Sequence, residues 1–130
     1  MKHLLFIAMG GSIGSVSRYL ILRYFQSLNS VSYIPLGTLT VNIIGGFLIG
    51  LLYSLFNYYS VSSELKVFLT IGILGAFTTF STFSLETVVL FKQNGIAAAI
   101  LNVTLNNIIC FLMVIAGSFT LNLFLKTKGA

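Results

Sequence analysis

Four apolar stretches, at 4–25, 36–56, 65–91 and 96–125, occupy most of this 130-residue chain. Each is long enough to cross a bilayer, which asks for roughly 20 mostly apolar residues. Composition agrees, with 57% of residues apolar and 7% charged, as in an integral membrane protein. The connections at 26–35, 57–64 and 92–95 are short and hold residues that break a span: Ser, Asn and the only proline in the first, Tyr, Ser and Asn in the second, Lys92 to Gly95 in the third. The pattern predicts an all-α membrane protein, one four-helix transmembrane domain over 1–130, with both termini on the same side.

Lys2 ahead of an apolar start raises a cleaved signal peptide as a rival for the first span. The run 4–9 is short for such a segment, no A-x-A site follows, and apolar character resumes beyond Arg18, so the span is expected to be retained. Cys110, the single cysteine, cannot form an intrachain disulfide and is expected to fill space. A net charge of +5 would suggest nucleic acid in a soluble protein, but seven basic residues spread along four spans form no binding face, and no nucleic-acid partner is expected. Their placement bears on orientation instead. With the termini together, one side carries Lys2, Lys66, Lys126 and Lys128, and the other carries Arg23, Lys92 and Arg18. The positive-inside rule orients a chain by a clear Lys/Arg excess. Four against three leaves both a single orientation and insertion both ways up open.

Gly10 and Gly14, Gly46 and Gly50, and Gly72 with Ala76 lie at small-xxx-small spacing, which lets helix backbones approach closely. The expected product is a tight bundle that oligomerises, because four short helices enclose little polar path on their own.

The third stretch is unusual. "GAFTTFSTFSLE", residues 75–86, sets three phenylalanines and five hydroxyl side chains into twelve residues. Glycine at 72 and 75 weakens a helix, and the hydroxyls of Thr78, Thr79, Ser81 and Thr82 can bond to backbone carbonyls, so the third helix is expected to break near its middle. The alternative is an intact helix whose hydroxyls bond to their own preceding turn. A break frees backbone groups at mid-membrane, which must be satisfied by protein, water or a bound ion. Unwound carbonyls at that depth suit a monovalent cation. Phe80 and Phe83 are three apart and share a helix face, and Thr82 and Glu86 are four apart on a neighbouring one. A ring edge is positive and can attract an anion without gripping it as a full charge does, a property that suits a conduction path. Simple packing of the two rings is the alternative.

Asn42, in "GTLTVNIIGG" with Thr38 one turn before it, offers two neutral N–H donors that can replace water around an anion. In the fourth span "NVTLNN" adds Asn102, Thr104, Asn106 and Asn107, with Asn102 and Asn106 on one face. Interhelical bonding accounts equally for these amides. Arg18 and Glu86 are the ionisable residues well inside the hydrophobic segments, where charges mark a function or a partner. No metal cluster, nucleophile with its base, or phosphate loop is present, so the chain is not expected to be an enzyme.

"GGSIGSVSRY" (10–19), "GTLTVNIIGGFLIG" (37–50) and "GILGAFTTFSTFSLE" (72–86) resemble the signatures of the CrcB family, the Fluc fluoride channels. The resemblance covers the first three spans and the length of the fourth, and it implies a dual-topology, antiparallel homodimer in the cell inner (plasma) membrane. Two pores would pass fluoride down its electrochemical gradient, relieving fluoride toxicity. By motif, Asn42 matches the pore asparagine of the second span, Phe80 and Phe83 the paired phenylalanines whose edges face the ion, and Thr79, Ser81 and Thr82 the hydroxyl-rich track, followed by Glu86. Gly75 and Thr78 match the break whose backbone carbonyls, with those of the partner, hold a structural sodium ion at the dimer centre. Arg18 matches an arginine of vestibule or structural role. The family commonly carries a tyrosine in the fourth span and a serine four residues later, where this chain has Asn102 and Asn106. That departure bears on the outer polar track and on whether the chain pairs with itself or with a paralogue as an obligate heterodimer. A small multidrug-type cation transporter is the competing class, but it wants a carboxylate in the first span, where this chain has Arg18.

Overall fold

The computed structural model describes residues 1–28 and 33–128, apart from the side chains of 122 and 125–128. Part of the first connection and the side chains of Lys126 and Lys128 therefore lie outside the described residues. Among the described residues, four helical segments are long and apolar enough to cross a membrane: Lys2–Ser27, Leu36–Tyr58, Ser63–Asn94 and Ile96–Leu121. The helices run past the apolar stretches that announce them. α1 is Lys2–Ser27, α2 is Leu36–Tyr58, and the third segment is composite: α3 Ser63–Val67, a π-helical turn at Phe68–Leu74, α4 Gly75–Phe77 and α5 Phe80–Asn94. The last helix, α6, is Ile96–Lys128.

Local chemistry fixes the ends. Pro35 stands at the N-cap of α2, where its missing N–H costs nothing and its fixed φ suits entry to a helix. The Ser62 hydroxyl caps α3 by accepting from Leu65 N at 3.4 Å. Gly95, at φ 85°, ends α5, and α6 starts at the next residue. Only glycine takes that backbone conformation readily. His3 Nε2 lies 3.3 Å from Ser63 Oγ, so the beginnings of the first and third segments share one end of the bundle, and Lys2 and Lys66 with them.

The molecule is apolar outside and buries polar side chains within its core. Large apolar side chains such as Leu4, Phe111, Phe119 and Leu123 are exposed, whereas Asn102 and Thr38 are 0% and 1% exposed, as deep as Val41. That inversion is what hydrocarbon as solvent demands, because polar groups there need protein partners. Hydroxyls elsewhere on the helices meet the same demand locally: Ser12, Thr70, Ser84 and Thr120 each donate to the carbonyl four residues back, at 2.7–2.9 Å.

Small residues set the helix contacts. A Cβ on Gly10 would stand 2.6 Å from the Phe68 carbonyl oxygen and 2.9 Å from Gly72 Cα, and one on Gly14 would run into the Ile73 carbonyl. α1 therefore lies directly on the backbone of the π-helical turn. The α2–α6 seam repeats the device, with Gly50 against the Val114 carbonyl and Gly117 against that of Phe47. The Ser54 hydroxyl closes this seam, bonding the Ser118 carbonyl at 3.0 Å and lying 2.9 Å from the Ser118 hydroxyl.

Candidate functional site

Helical conformation ends at Phe77 and restarts at Phe80, the last helical bond before the gap running from Thr78 N to the Leu74 carbonyl at 3.0 Å. Between them Thr78 (φ −81°, ψ 159°) and Thr79 (φ −150°, ψ 121°) are extended. The two sequence readings of the hydroxyls are divided between residues. Thr78 Oγ1 donates to the Leu74 carbonyl at 3.0 Å, within its preceding turn. Thr79 instead caps α5: its Oγ1 accepts from Thr82 N at 3.2 Å and donates to Thr82 Oγ1 at 3.0 Å, with Ser81 Oγ 3.4 Å away.

Asn42 of α2 grips the extended residues from the side. Its Oδ1 accepts from Thr79 N at 3.0 Å, and its Nδ2 donates to the Thr79 carbonyl at 3.3 Å. In a continuous helix the Thr79 N–H would go to the carbonyl of Gly75. Turned toward Asn42, it leaves that carbonyl without its helical donor. The neighbouring Thr78 carbonyl accepts from Arg18 Nη1 at 3.3 Å, which brings the fixed positive charge of α1 against the extended residues and uses one of the two lone pairs on that oxygen.

Asn42 also donates to Asn106 Oδ1 at 3.1 Å. Asn106 donates in turn to the carbonyl and the Oδ1 of Asn102, at 3.2 and 3.1 Å, and Asn102 Nδ2 donates to Thr87 Oγ1 at 2.8 Å. Asn102 and Asn106 of the fourth span thus face inward, whereas Thr104 and Asn107 are exposed. Asn107 donates to the Val103 carbonyl in its own helix. On the other side of α5, Thr38 Oγ1 donates to Glu86 Oε1 at 2.8 Å, while Glu86 Oε2 is buried with no partner. Thr82 is bound to Thr79 rather than to Glu86, its neighbour one turn on.

The rings of Phe80 and Phe83 sit 5.5 Å apart and tilted by 54°. They differ in setting, since Phe83 is 7% exposed and Phe80 77%. Both line a groove of about 410 Å³ that is open on one side, together with Asn42, Gly75, Thr78, Thr79, Asn106 and Asn107. The structure therefore brings Asn42, Thr79, Phe80, Phe83, Gly75 and Thr78 to one groove. Ser81, Thr82, Glu86 and Arg18 lie outside its lining. Its donors are neutral amides and hydroxyls beside apolar rings, a surface that can coordinate a small anion without binding it through a full charge. Among the described residues no three His, Cys, Asp or Glu side chains gather, so backbone and hydroxyl oxygens are the groups available to a cation here, and they suit a hard monovalent one.

Sequence reasoning undervalued three residues. Thr38 is the partner of Glu86, Thr87 is the partner of Asn102, and Asn106 reaches the groove itself. Asn102 and Asn106 had a signal, four apart on one helix face. Thr87 had none beyond its place beside Glu86, because its partner is fifteen positions away on another helix. The π-helical turn had no signal either.

Comparison with known proteins matches residues 5–118 to the model of the family described as CrcB-like protein, Camphor Resistance (CrcB). Similar proteins include the fluoride-specific ion channel FluC of Shewanella woodyi, 48% identical over 117 residues that cover 90% of this chain and 94% of the relative. The protein of the same name from Shewanella loihica is 47% identical over the same shares, and that of Shewanella baltica 48%. A match of this extent, on a chain with four membrane-spanning helices, makes this a multi-pass membrane protein and a member of the CrcB family of fluoride channels, and not an enzyme.

Proposed function

We propose that the chain is a fluoride-selective channel that lets fluoride leave the cell passively across the inner (plasma) membrane, relieving fluoride toxicity. The observation that carries this reading is the pairing of Asn42 with the Phe80–Phe83 rings in one groove, in a chain whose similar proteins are named as fluoride-specific channels. Fluoride is small and strongly hydrated, so close donors must replace its water. Amide N–H groups and positive ring edges are such donors, and none holds the ion as a lysine beside the path would. With the interior negative, a univalent anion is driven outward by about 2.3 kcal/mol per 100 mV, so export requires no coupled energy source.

The open side of the groove, where Phe80 is exposed, suits completion by an antiparallel second copy, and the near balance of positive charge suits insertion both ways up. In that homodimer the carbonyls of Gly75 and Thr78 would hold a structural sodium ion. The donor set fits: the Gly75 carbonyl has lost its helical partner to Asn42, and the Thr78 carbonyl keeps a lone pair beyond its bond to Arg18. When bound, the ion would supply positive charge and fasten the two extended segments together. Thr79, Ser81 and Thr82 continue the polar track from the groove, and Glu86 stands at its far end with Thr38. The family match gives no support to a small multidrug-type transporter.

Liposomes containing only the purified chain test this reading. Fluoride release into an electrode chamber, far faster than chloride release, is the expected result. Well-folded protein that releases neither ion removes the homodimeric channel, and flux gained only on adding a paralogue establishes the heterodimer instead.

A further inference from the structure

Asn42, Asn106, Asn102 and Thr87 form a single file of donors that point the same way. Each passes a hydrogen to the next, and the file ends where the Thr87 hydroxyl donates to the Phe83 carbonyl at 2.8 Å. Only the first two members line the groove; Asn102 and Thr87 stand behind it. In this direction neither Asn42 nor Asn106 offers an anion an amide hydrogen, and among the groove's amides only the exposed Asn107, which gives one hydrogen to the Val103 carbonyl, keeps one. One N–H of Asn42 goes to the Thr79 carbonyl and the other to Asn106, and both N–H groups of Asn106 go to Asn102. An amide nitrogen carries two hydrogens, so all four are committed.

One of the two must turn before Asn42 and Asn106 can donate to fluoride together. Asn42 is held at both ends by Thr79, N–H to Oδ1 and Nδ2 to carbonyl, and turning it would set donor against donor. Asn106 has no such clamp on its oxygen, which meets only Asn42. We infer that Asn106 is a turning amide, and that Asn102 and Thr87 are the positioning residues that let it turn. As the anion arrives, Asn106 rotates by half a turn, and its N–H and that of Asn42 converge on the ion. Asn102 turns with it and donates to Asn106 Oδ1. Thr87 swings its hydroxyl from the Phe83 carbonyl to Asn102 Oδ1.

The file can reverse because each member both donates and accepts. Two bonds are given up, from Asn106 to the Asn102 carbonyl and from Thr87 to the Phe83 carbonyl. Both carbonyls lie inside helices, where the backbone also supplies a donor, and the two lost bonds set the resting direction. Asn102 Nδ2 has a second hydrogen with no acceptor in the resting file, since its one bond is to Thr87. Reversal exchanges the Thr87 acceptor for Asn106 Oδ1, so Asn102 uses one amide hydrogen in either direction. Neither Asn102 nor Thr87 needs to touch the ion.

This inference rests on reading the groove as a fluoride path, and the test separates the two. The side-chain amide ¹⁵N–¹H signals of the full chain are followed in detergent micelles during a fluoride titration, for wild type, Thr87→Val and Thr87→Ser, with liposome efflux measured on each. In wild type the signals of Asn42, Asn106 and Asn102 should shift with one midpoint. In Thr87→Val the Asn102 shift should vanish and fluoride efflux fall by about tenfold, the effect of one hydrogen bond lost from the path. Thr87→Ser, which keeps the hydroxyl, should restore both. A wild-type titration in which Asn42 moves and Asn102 does not overturns the relay, whether or not Thr87→Val folds. So does wild-type efflux from Thr87→Val. Fluoride-selective flux with a silent Asn102 sinks the relay alone, whereas no flux and no shift in any amide sinks the channel reading and the relay with it.

Discussion

The third span is held in two different ways on either side of Thr78 and Thr79. Before them, the π-helical turn and α4 are held by shape: the glycines of α1 lie against their backbone, and a Cβ at Gly10 or Gly14 would collide with carbonyls. After them, α5 is held by polar bonds, through Asn42 to Thr79, Thr38 to Glu86 and Asn102 to Thr87. Shape contacts in a membrane are close-packed and depend on the fit of the two backbones, because lipid offers no hydrophobic force to pull helices together. Polar bonds can be exchanged for bonds to another ligand. The half fixed by shape is thus suited to anchoring, and the half fixed by exchangeable bonds to passing an ion.

The sharpest way to break this contrast is to fill the shape-held side. Gly10→Val should destabilise the fold by about 3 kcal/mol, as overpacking against backbone does, and abolish flux only through loss of folded protein. Thermal unfolding in micelles checks it, and a stable Gly10→Val with normal flux would show that α1 does not anchor the span. Asn42→Ala comes next. It strands the N–H and carbonyl of Thr79, at a cost of about 1–3 kcal/mol, and here efflux should fall further than stability accounts for. Thr38→Val removes the one donor to Glu86 Oε1 and should cost about 1–2 kcal/mol, with Thr38→Ser close to wild type in unfolding and efflux. Smallest is Ser54→Ala, in the α2–α6 seam away from the groove. A loss of about 1 kcal/mol with unchanged efflux is expected, and a large fall in efflux would extend the polar path beyond α5.

Much of this architecture is legible in the sequence because hydrocarbon as a solvent leaves few choices. The length of each apolar stretch marks a span, and the small-xxx-small pairs Gly10–Gly14 and Gly46–Gly50 fall on the helix contacts. Glycines and clustered hydroxyls point to 75–82 as the polar part of the third span, since such residues compete with helical backbone bonding. Partners are harder to read. Nothing in the spacing of Thr87 and Asn102, or of Thr38 and Glu86, tells which will meet, because those pairs depend on how whole helices are rotated against one another. The π-helical turn at Phe68–Leu74 is likewise invisible locally. Its sequence FLTIGIL is ordinary for a span, and it lies where the glycines of α1 press on its backbone. The settings of the two phenylalanines follow the same logic: three apart on one face, yet one buried and one open, because the groove is open on one side and Phe80 lies at its edge.

The channel account is tested most directly by fluoride and chloride efflux from liposomes carrying either the wild-type chain or Phe80→Ile/Phe83→Ile. The expected outcome is fast, fluoride-selective release from wild type, and loss of fluoride release from the double variant while its unfolding midpoint and assembly stay as in wild type. Fluoride release that survives replacement of both rings would contradict a path lined by their edges and leave them a packing role alone.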